Sequence, residues 1–278
     1  MASFLFDHIM EIFHSFRLGN HSPNSTDCLY IQYTNPQQRQ YNSQYLNRIN
    51  LPPQSLTQQE DDSNSSQKWL RIILVSDTHQ RHETIGIIPK GDIFIHAGDI
   101  LMTNRLLTTA RSIQKLNEFN DWLSTIDCSS KIVICGNHDK IIEDLGHERV
   151  TQILSNATYL QNSFVEVNSI RIWGSPLSSG RSGNSAFQSR SFAQETLEKI
   201  EAISEEGGRG IDILVTHGPN HHLAQIVQPK LLHVWGHAHG AHGLHHHKDL
   251  SCPSVNASIM DTRYDPHQVP IVIDFPLP

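Results

Sequence analysis

The sequence has little of what marks several common classes of protein. Four of its 278 residues are cysteine, and none lies in a CxxC pair, which argues against a disulfide framework. We therefore expect a reducing, cytoplasmic location. Positive charge is also scarce: the net charge of −7 argues against a general nucleic-acid binder, so no nucleic-acid polymer is expected as a partner. An enzyme that takes a single nucleotide into a metal-charged pocket is compatible with this charge.

Long apolar runs are absent too. No stretch is long enough to span a membrane, and residues 1–16 lack the basic start of a secretory signal. Apolar residues in that segment fall at helical spacing and predict a short helix that packs on the domain or has no role, with a membrane or partner-docking helix as the alternative. Aliphatic residues are few in 20–67, where Asn, Gln, Ser and Pro dominate, so little apolar burial offsets the entropy of ordering. We expect 1–67 to be a largely disordered N-terminal extension and 68–278 to be the folded catalytic domain.

From Trp69 onward, short apolar runs recur, and each ends in polar residues. The runs are Leu70–Val75, Asp92–His96, Lys131–Cys135, Ile211–Val215 and Leu231–Trp235. Such runs, nearly continuous and β-branched, are typical of strands buried on both faces. The patterns between them predict helices over 105–126, 140–154 and 191–204, and a hairpin that joins 164–167 to 170–173. The alternation predicts an α/β domain with extra antiparallel strands in its second half.

Residues able to bind a metal follow each of these five runs. They are Asp77 and His79; Asp99; Asn137, His138 and Asp139; His217; and His237 and His239. In α/β sheets, ligands collect beyond the carboxyl ends of the strands, so we expect these side chains to meet. A spacing of two turns both side chains of an extended segment the same way. A set of carboxylate, amide and imidazole donors suits Mn, Fe or Zn.

Each motif taken alone has an ordinary alternative. A lone histidine such as His217 more often has a structural role or lies on the surface. Asp99 after Gly98 could equally be a turn residue or a helix N-cap instead of a ligand. Other histidines have plainer interpretations. We expect His96 in the core or behind the site, His82 on a surface loop, and residues 245–247 in a solvated loop rather than at a third metal site. The joint occurrence of all five motifs at strand ends favours the metal site.

The array resembles the calcineurin-like metallophosphoesterase superfamily, whose pattern is D-x-H, G-D, G-N-H-[DE], H and G-H-x-H. The resemblance covers about 69–278, and it is closer to one branch, the metallophosphoesterase-domain proteins similar to class III cyclic-nucleotide phosphodiesterases. The segments that carry the branch resemblance are 76–79, 95–99, 173–176, 216–219 and 256–258. Departures lie at Gln80 and Arg81, in 178–185 and in the N-terminal tail. The resemblance implies a four-layer αββα fold, a β-sandwich of mixed sheets flanked by helices.

The resemblance also implies a site with two divalent ions, Mn, Fe or Zn, with Mn expected to serve in vitro. The residues that would hold the first ion are Asp77, His79, Asp99 and His239. Those that would hold the second are Asp99, Asn137, His217 and His237. Asp99 would bridge the ions, which would activate a bridging hydroxide for in-line attack on phosphorus.

Three further residues receive roles from the resemblance. His138 would contact the substrate at the leaving oxygen, as general acid or charge stabiliser. Asp139 would orient His138 by accepting a hydrogen bond, or equally would cap the helix that begins near Lys140. Asn256 would contact the substrate.

The function expected from these residues is a phosphodiesterase that hydrolyses small or cyclic nucleotides. The alternatives are a phosphomonoesterase or phosphoprotein phosphatase, which the same metal core would serve, and a nucleotide-binding scaffold with weak activity. The partner expected is a small phosphorylated molecule, and the sequence leaves the oligomeric state open.

Overall fold

The computed structural model describes residues 27–35, 40–47, 68–103, 108–179, 183–204 and 210–276. The strands are β1 (Asp27–Asn35), β2 (Gln40–Asn47), β3 (Trp69–Val75), β4 (Gly91–Ala97), β5 (Cys128–Ile134), β6 (Thr158–Tyr159), β7 (Ser163–Val167), β8 (Ile170–Ser175), β9 (Ser178–Ser179), β10 (Gln188–Ser189), β11 (Ile213–Thr216), β12 (Leu232–Trp235), β13 (Gly243–His245), β14 (Ser254–Asn256) and β15 (Ile271–Pro276). The α-helices are α1 (Thr109–Ser124), α2 (Lys140–Leu145), α3 (His147–Ile153), α4 (Phe192–Ser204) and α5 (His221–Val227). Short 3-10 helices cover His82–Ile85 and His239–Ala241.

Two mixed sheets form the centre of the fold. The larger has seven strands in the order β2-β1-β15-β3-β4-β5-β6, and β3 to β6 run parallel. The smaller has six strands in the order β13-β14-β12-β11-β8-β7, with a parallel centre and antiparallel edges. The predicted hairpin is confirmed, since β7 pairs with β8 antiparallel.

Side-chain alternation along the strands divides the core into layers. In β3, Ile72 and Leu74 belong to a buried cluster that also contains Val215 and Val234 from the smaller sheet. The residues between them, such as Ile73, join a second buried cluster with α1. A third cluster packs α4 and α5 on the smaller sheet. The expected arrangement of two mixed sheets flanked by helices is confirmed.

The N-terminal expectation is wrong in part. Residues 27–35 and 40–47, placed in a disordered linker from their composition, form β1 and β2. β1 pairs in parallel with β15, so that Leu29 lies opposite Ile271, and Tyr30 and Ile31 are buried. The apolar partner comes from the far end of the chain, and local composition does not reveal it. The helix expected over 1–16 lies outside the described residues.

Two smaller differences concern the helices. The segment 140–154 forms two helices instead of one, because Gly146 adopts a φ of 76° between them. The first predicted helix begins at Thr109, where the Thr108 side chain accepts a hydrogen bond from the Arg111 N–H and caps it. None of the helices in the described part of the chain combines the length and apolarity needed to cross a membrane.

Candidate metal centre

The loops that follow five strands meet at one place, where both sheets contribute. The Asp77 N–H donates to Gly98 O at 2.9 Å, which joins the loops after β3 and β4. The His237 N–H donates to an oxygen of the Asp77 carboxylate at 2.9 Å, which brings in the loop after β12. The His217 ring, after β11, reaches Ala97 O at 3.0 Å. The strand-end motifs are therefore brought together as predicted.

Their donor atoms form overlapping groups able to hold metal ions. Within each group the donor atoms lie within 4.8 Å of one another. The groups at this site are Asp77, His79 and His239; Asp99, His217 and His237; and His79, Asp99 and His138. The Asn137 side-chain oxygen lies 3.0 Å from His217 Nε2, beside the second of these groups.

Asp99 lies between the groups and faces both. Its Oδ1 is 3.3 Å from His217 Nε2, and its Oδ2 is 3.8 Å from His79 Nε2. Oδ1 also accepts a hydrogen bond from the His138 backbone N–H at 2.8 Å. A carboxylate whose two oxygens point at different donor groups has the arrangement that a bridging ligand requires.

Backbone carbonyls fix which imidazole nitrogen faces the centre. The Nδ1 atoms of His79, His217 and His239 lie 3.0, 3.0 and 3.1 Å from the carbonyl oxygens of Leu101, Ala97 and Asp261. A carbonyl only accepts, so each Nδ1 carries a proton and each Nε2 faces the centre, where a metal ion would take the place of any proton on that nitrogen. The Nε2 atoms of His79 and His239 then face each other at 3.2 Å, a contact that a cation between them would relieve. The donor set fits a metal.

Four of the predicted ligands have left-handed backbone conformations. The φ angles are 53° at Asp77, 43° at His79, 53° at Asp99 and 68° at His237. Each costs of order 1–3 kcal/mol in a residue other than glycine, and such strain persists where the surroundings fix it, often at functional sites. The turn predicted at Gly98 is present, with φ 99°.

Gly136 is required for close approach rather than for its backbone conformation. A Cβ at this position would overlap the Asp99 carboxylate and the His217 ring. The chain after β5 therefore lies directly against the two residues that join the groups. Alanine would displace one of them.

The carboxylates and imidazoles of the centre shift one another's protonation. Burial disfavours a charged Asp99, but the imidazole of His217 more than compensates and lowers the pKa of Asp99 to about 2. The pKa of Asp77 is also lowered against burial, chiefly by His239 and His217. Burial alone would lower the pKa of His217, yet the Asp99 carboxylate raises it to about 9. The site thus holds ionised carboxylates that attract positive charge.

His138 lies at the edge of the centre. Its Nδ1 accepts the Thr103 N–H at 3.4 Å, and its Nε2 lies 2.8 Å from the Asn184 side-chain nitrogen, so both ring nitrogens face N–H groups. Burial, opposed by the Asp99 carboxylate, lowers the pKa of His138 to about 4. The ring is therefore neutral and lies beside His79, with the ring centroids 4.7 Å apart.

Asp139 does neither of the things predicted for it. Its carboxylate accepts the backbone N–H groups of Leu101 and Gly136, both at 2.8 Å, and that of Ile100 at 3.2 Å. It makes no side-chain cap on α2. Burial and the nearby Asp99 charge raise the pKa of Asp139 to about 7. The residue ties the loop after β4 to the loop after β5, so it acts on the position of His138 only through the backbone.

Asn256, predicted to contact the substrate, takes part in the hydrogen bonds that hold the last motif. The side chain is fully buried at the end of β14. Its amide nitrogen donates to Ala238 O at 2.8 Å, and its amide oxygen accepts from the Ser258 N–H at 2.9 Å. Ala238 separates the two histidines of the last motif, so Asn256 positions that loop.

Sequence reasoning missed Ser258 as a residue of the site. Its hydroxyl donates to the Asp77 carboxylate at 2.8 Å, and the residue forms an isolated bridge with Ser76. The segment 256–258 carries the branch resemblance, and the polar residue two positions beyond Asn256 is the available signal.

Three expectations concern the remaining histidines, and the one for 245–247 is wrong in part, because His245 ends β13 instead of lying in a solvated loop. His96 is buried behind the site, where its Nε2 lies 3.0 Å from the Thr78 hydroxyl, as expected. The prediction of a surface loop for His82 is wrong. That ring is buried against Phe119 and Trp122, with centroids 5.4 and 5.3 Å away.

Two mixed sheets whose strand ends carry a buried cluster of aspartates and histidines define the class as metal-dependent phosphoester hydrolases. Comparison with known families agrees: the model of the calcineurin-like phosphoesterase domain matches residues 70–241, and the chain belongs to this family. The family and the aspartate–histidine groups indicate binding of divalent metal ions.

Individual relatives point to the same branch. The chain is 34% identical over 252 residues to human metallophosphoesterase domain-containing protein 1, covering 76% of this chain and 72% of the relative. The mouse protein of the same name matches equally well. A solved crystal structure with 13% identity aligns with a TM-score of 0.51, over 68% of this chain and 90% of its own. At that identity the structural likeness supports the fold alone.

Proposed function

We propose that the chain is a dinuclear metal-dependent phosphodiesterase that hydrolyses small or cyclic nucleotides. The observation that carries the proposal is the position of Asp99, with one carboxylate oxygen toward His217 and the other toward His79. Two ions would give each of these oxygens a cation shared with the imidazole that it faces.

The proposed ligands fall into two sets that share Asp99. The first set is Asp77, His79, Asp99 and His239. The second set is Asp99, Asn137, His217 and His237. When bound, the two divalent ions supply an activated water nucleophile and positive charge for the phosphoryl oxygens. Manganese is proposed because the set mixes oxygen and imidazole donors and contains no thiolate.

The residues of the chain divide the remaining work. The loops tied together by Asp139 and Asn256 keep the ligands in place before substrate arrives, which lowers the cost of reorganisation. His138 is proposed as the substrate contact that donates its Nε2–H to the leaving oxygen. The preference for a nucleotide diester rests on the resemblance of segments such as 173–176 and 256–258 to the cyclic-nucleotide branch.

A metal-exchange assay tests the proposal. The full chain would be stripped with a chelator, reloaded with Mn²⁺, Fe²⁺ or Zn²⁺, and assayed on 4-nitrophenyl phosphate, bis(4-nitrophenyl) phosphate and cyclic nucleotides. We expect turnover that depends on metal, is fastest with diesters and is abolished by Asp99→Ala. Asp127→Ala removes an exposed aspartate that pairs with Lys90 and serves as the matched control.

Each adverse result has a separate meaning. Full turnover by the metal-free protein or by Asp99→Ala would remove the metal mechanism. Faster turnover of the monoester would favour a phosphomonoesterase instead of a phosphodiesterase. Nucleotide binding without turnover, under every metal, would favour the scaffold alternative.

A further inference from the structure

Tyr264 lies at the metal centre, although neither the ligand pattern nor the motifs include it. Its ring centroid is 4.7 Å from that of His239 and 5.1 Å from that of His79, two of the proposed ligands. The residue is 39% exposed, so one part of the ring packs on the centre while another part meets solvent. A side chain in this position forms part of the mouth of the site.

The loop that carries Tyr264 is fixed by one aspartate. The Tyr264 N–H donates to Asp261 O at 3.0 Å, and the Asp261 carboxylate accepts the N–H groups of Arg263 and Asp265. Asp261 O also accepts the Nδ1–H of His239, so the loop and this proposed ligand are joined directly. Tyr264 itself has a φ of 63°, an uncommon conformation for a bulky residue. The surroundings hold the ring at this place despite the strain.

The hydroxyl of Tyr264 points to the same place as His138. The Tyr264 Oη atom lies 3.5 Å from His138 Nε2, at the outer limit of a direct hydrogen bond. The Tyr264 hydroxyl carries a proton that it can donate, and in the proposed function His138 donates its Nε2–H. Two donors at this separation can share one acceptor oxygen placed between them.

We propose that the Tyr264 hydroxyl donates a second hydrogen bond, beside His138, to the leaving-group oxygen of the bound phosphoester. This inference rests on the proposed function, since it concerns the same site. The phenol keeps its proton throughout, and its role is to stabilise the negative charge that develops on that oxygen as the bond to phosphorus breaks. The ring forms the wall against which the leaving group packs.

A leaving-group series with Tyr264→Phe tests this role. The variant removes the hydroxyl and keeps the ring contacts with the histidines. Metal-loaded wild type and variant would be compared on aryl phosphodiesters that differ only in the acidity of the departing phenol. We expect kcat/KM to fall about tenfold for the least acidic phenol and little for 4-nitrophenol, because a poorer leaving group develops more charge on its oxygen.

The matched control is Tyr159→Phe. Its hydroxyl contacts the Gln161 side chain at 3.1 Å, and its ring is buried in the second core cluster with α1. This control should keep the wild-type dependence on leaving group even if its stability falls. Metal content measured on every protein separates a loss of metal from a loss of the hydrogen bond.

A binding measurement tests the hydrogen bond from the Tyr264 hydroxyl without an activity assay. Inorganic phosphate, titrated into the metal-loaded proteins by calorimetry, places an oxygen where the leaving oxygen would lie. We expect phosphate to bind Tyr264→Phe several-fold more weakly than wild type or Tyr159→Phe. Equal phosphate affinity, or a loss of activity that is uniform across the phenols, would overturn the role of the hydroxyl. Absence of turnover in wild type would overturn the proposed function, and the phosphate titration would still test Tyr264.

Discussion

Two regions of this molecule are rich in histidine, and they differ in what surrounds the rings. At the candidate metal centre, the imidazoles lie among the buried carboxylates of Asp77 and Asp99. The second region, next to Trp235, brings His221 within 3.9 Å of His247 and 5.9 Å of His233, measured between ring centroids. None of the three-ligand groups found among the described residues includes a histidine of this second region.

The neighbours decide what each imidazole does. The Asp99 carboxylate, acting against burial, raises the pKa of His217 to about 9. Burial, together with His247 and His245, lowers the pKa of His221 to about 4. The first region attracts cations, whereas the second excludes protons and packs its rings as neutral groups. His233 shows the structural use clearly, because the hydroxyls of Thr216 and Ser254 contact its two ring nitrogens.

The largest effect should come from a matched pair of substitutions, one in each region. His217 and His233 are both fully buried. We expect His217→Gln to lower metal occupancy and to reduce turnover by a factor on the order of 10³ or more, since a correctly held ion contributes several kcal/mol. His233→Gln should lower the melting temperature and keep the metal stoichiometry. Elemental analysis gives the metal content of each variant, and an activity assay gives its turnover. Equal metal loss in the two variants would contradict the division into a metal-binding and a structural region.

His138→Gln should have the next largest effect. The residue is proposed as a donor to the leaving oxygen and not as a ligand, so metal content should stay at the wild-type value. Turnover should fall about 10²-fold, the lower end for a positioned donor, with an aryl diester whose departing phenol is weakly acidic. Loss of metal in step with activity would instead make His138 a ligand, in the group it shares with His79 and Asp99.

The same comparison explains what the sequence could predict. The ligands of the first region follow buried strands, and parallel strands bring their ends to one edge, so local patterns reveal them. The hydrogen bonds of Asp139 and Asn256 were not predicted because they depend on backbone groups of other loops, namely Leu101 and Ala238. Tyr264 lies in a loop without periodicity, and only the fold brings it to the site.

The prediction for the N-terminal residues was wrong in part for a related reason. Few aliphatic residues lie in 20–67, and composition therefore favoured disorder for the whole segment. The stability of β1 comes from pairing with β15, in a register that places Tyr30 beside Val272. Pairing partners this distant in sequence leave no local periodic signal.

Asn256→Asp is expected to have a smaller effect on the first region. The substitution keeps the shape and removes the N–H that holds Ala238 O between His237 and His239. Manganese affinity should fall by a factor of about 10, and saturating metal should restore most of the turnover. Asn168→Asp, in the exposed β7–β8 turn, is the control. If excess metal fails to restore activity, Asn256 contacts substrate as first predicted.

The smallest effect concerns the second region and acid stability. The pKa of His221 is lowered from 6.5 to about 4 in the folded chain. Between pH 6.5 and 4, His221 is therefore protonated in the unfolded chain and neutral in the folded chain. The free energy of unfolding therefore falls as pH drops through this window. It should fall less in His221→Phe, because phenylalanine cannot be protonated. The buried His221 Nδ1 makes no hydrogen bond, so phenylalanine forfeits none at that atom.

The measurement is the difference in unfolding free energy between pH 7.5 and 5, for metal-free wild type and His221→Phe. Because solvent reaches this half-buried ring, we expect the two pH dependences to differ by about 1 kcal/mol rather than by the full linkage of the lowered pKa. Titration of the metal centre is common to both proteins and cancels in the comparison. An identical pH dependence would mean that the second region tolerates protonation, and that carboxylates are not what separates the two sets of histidines.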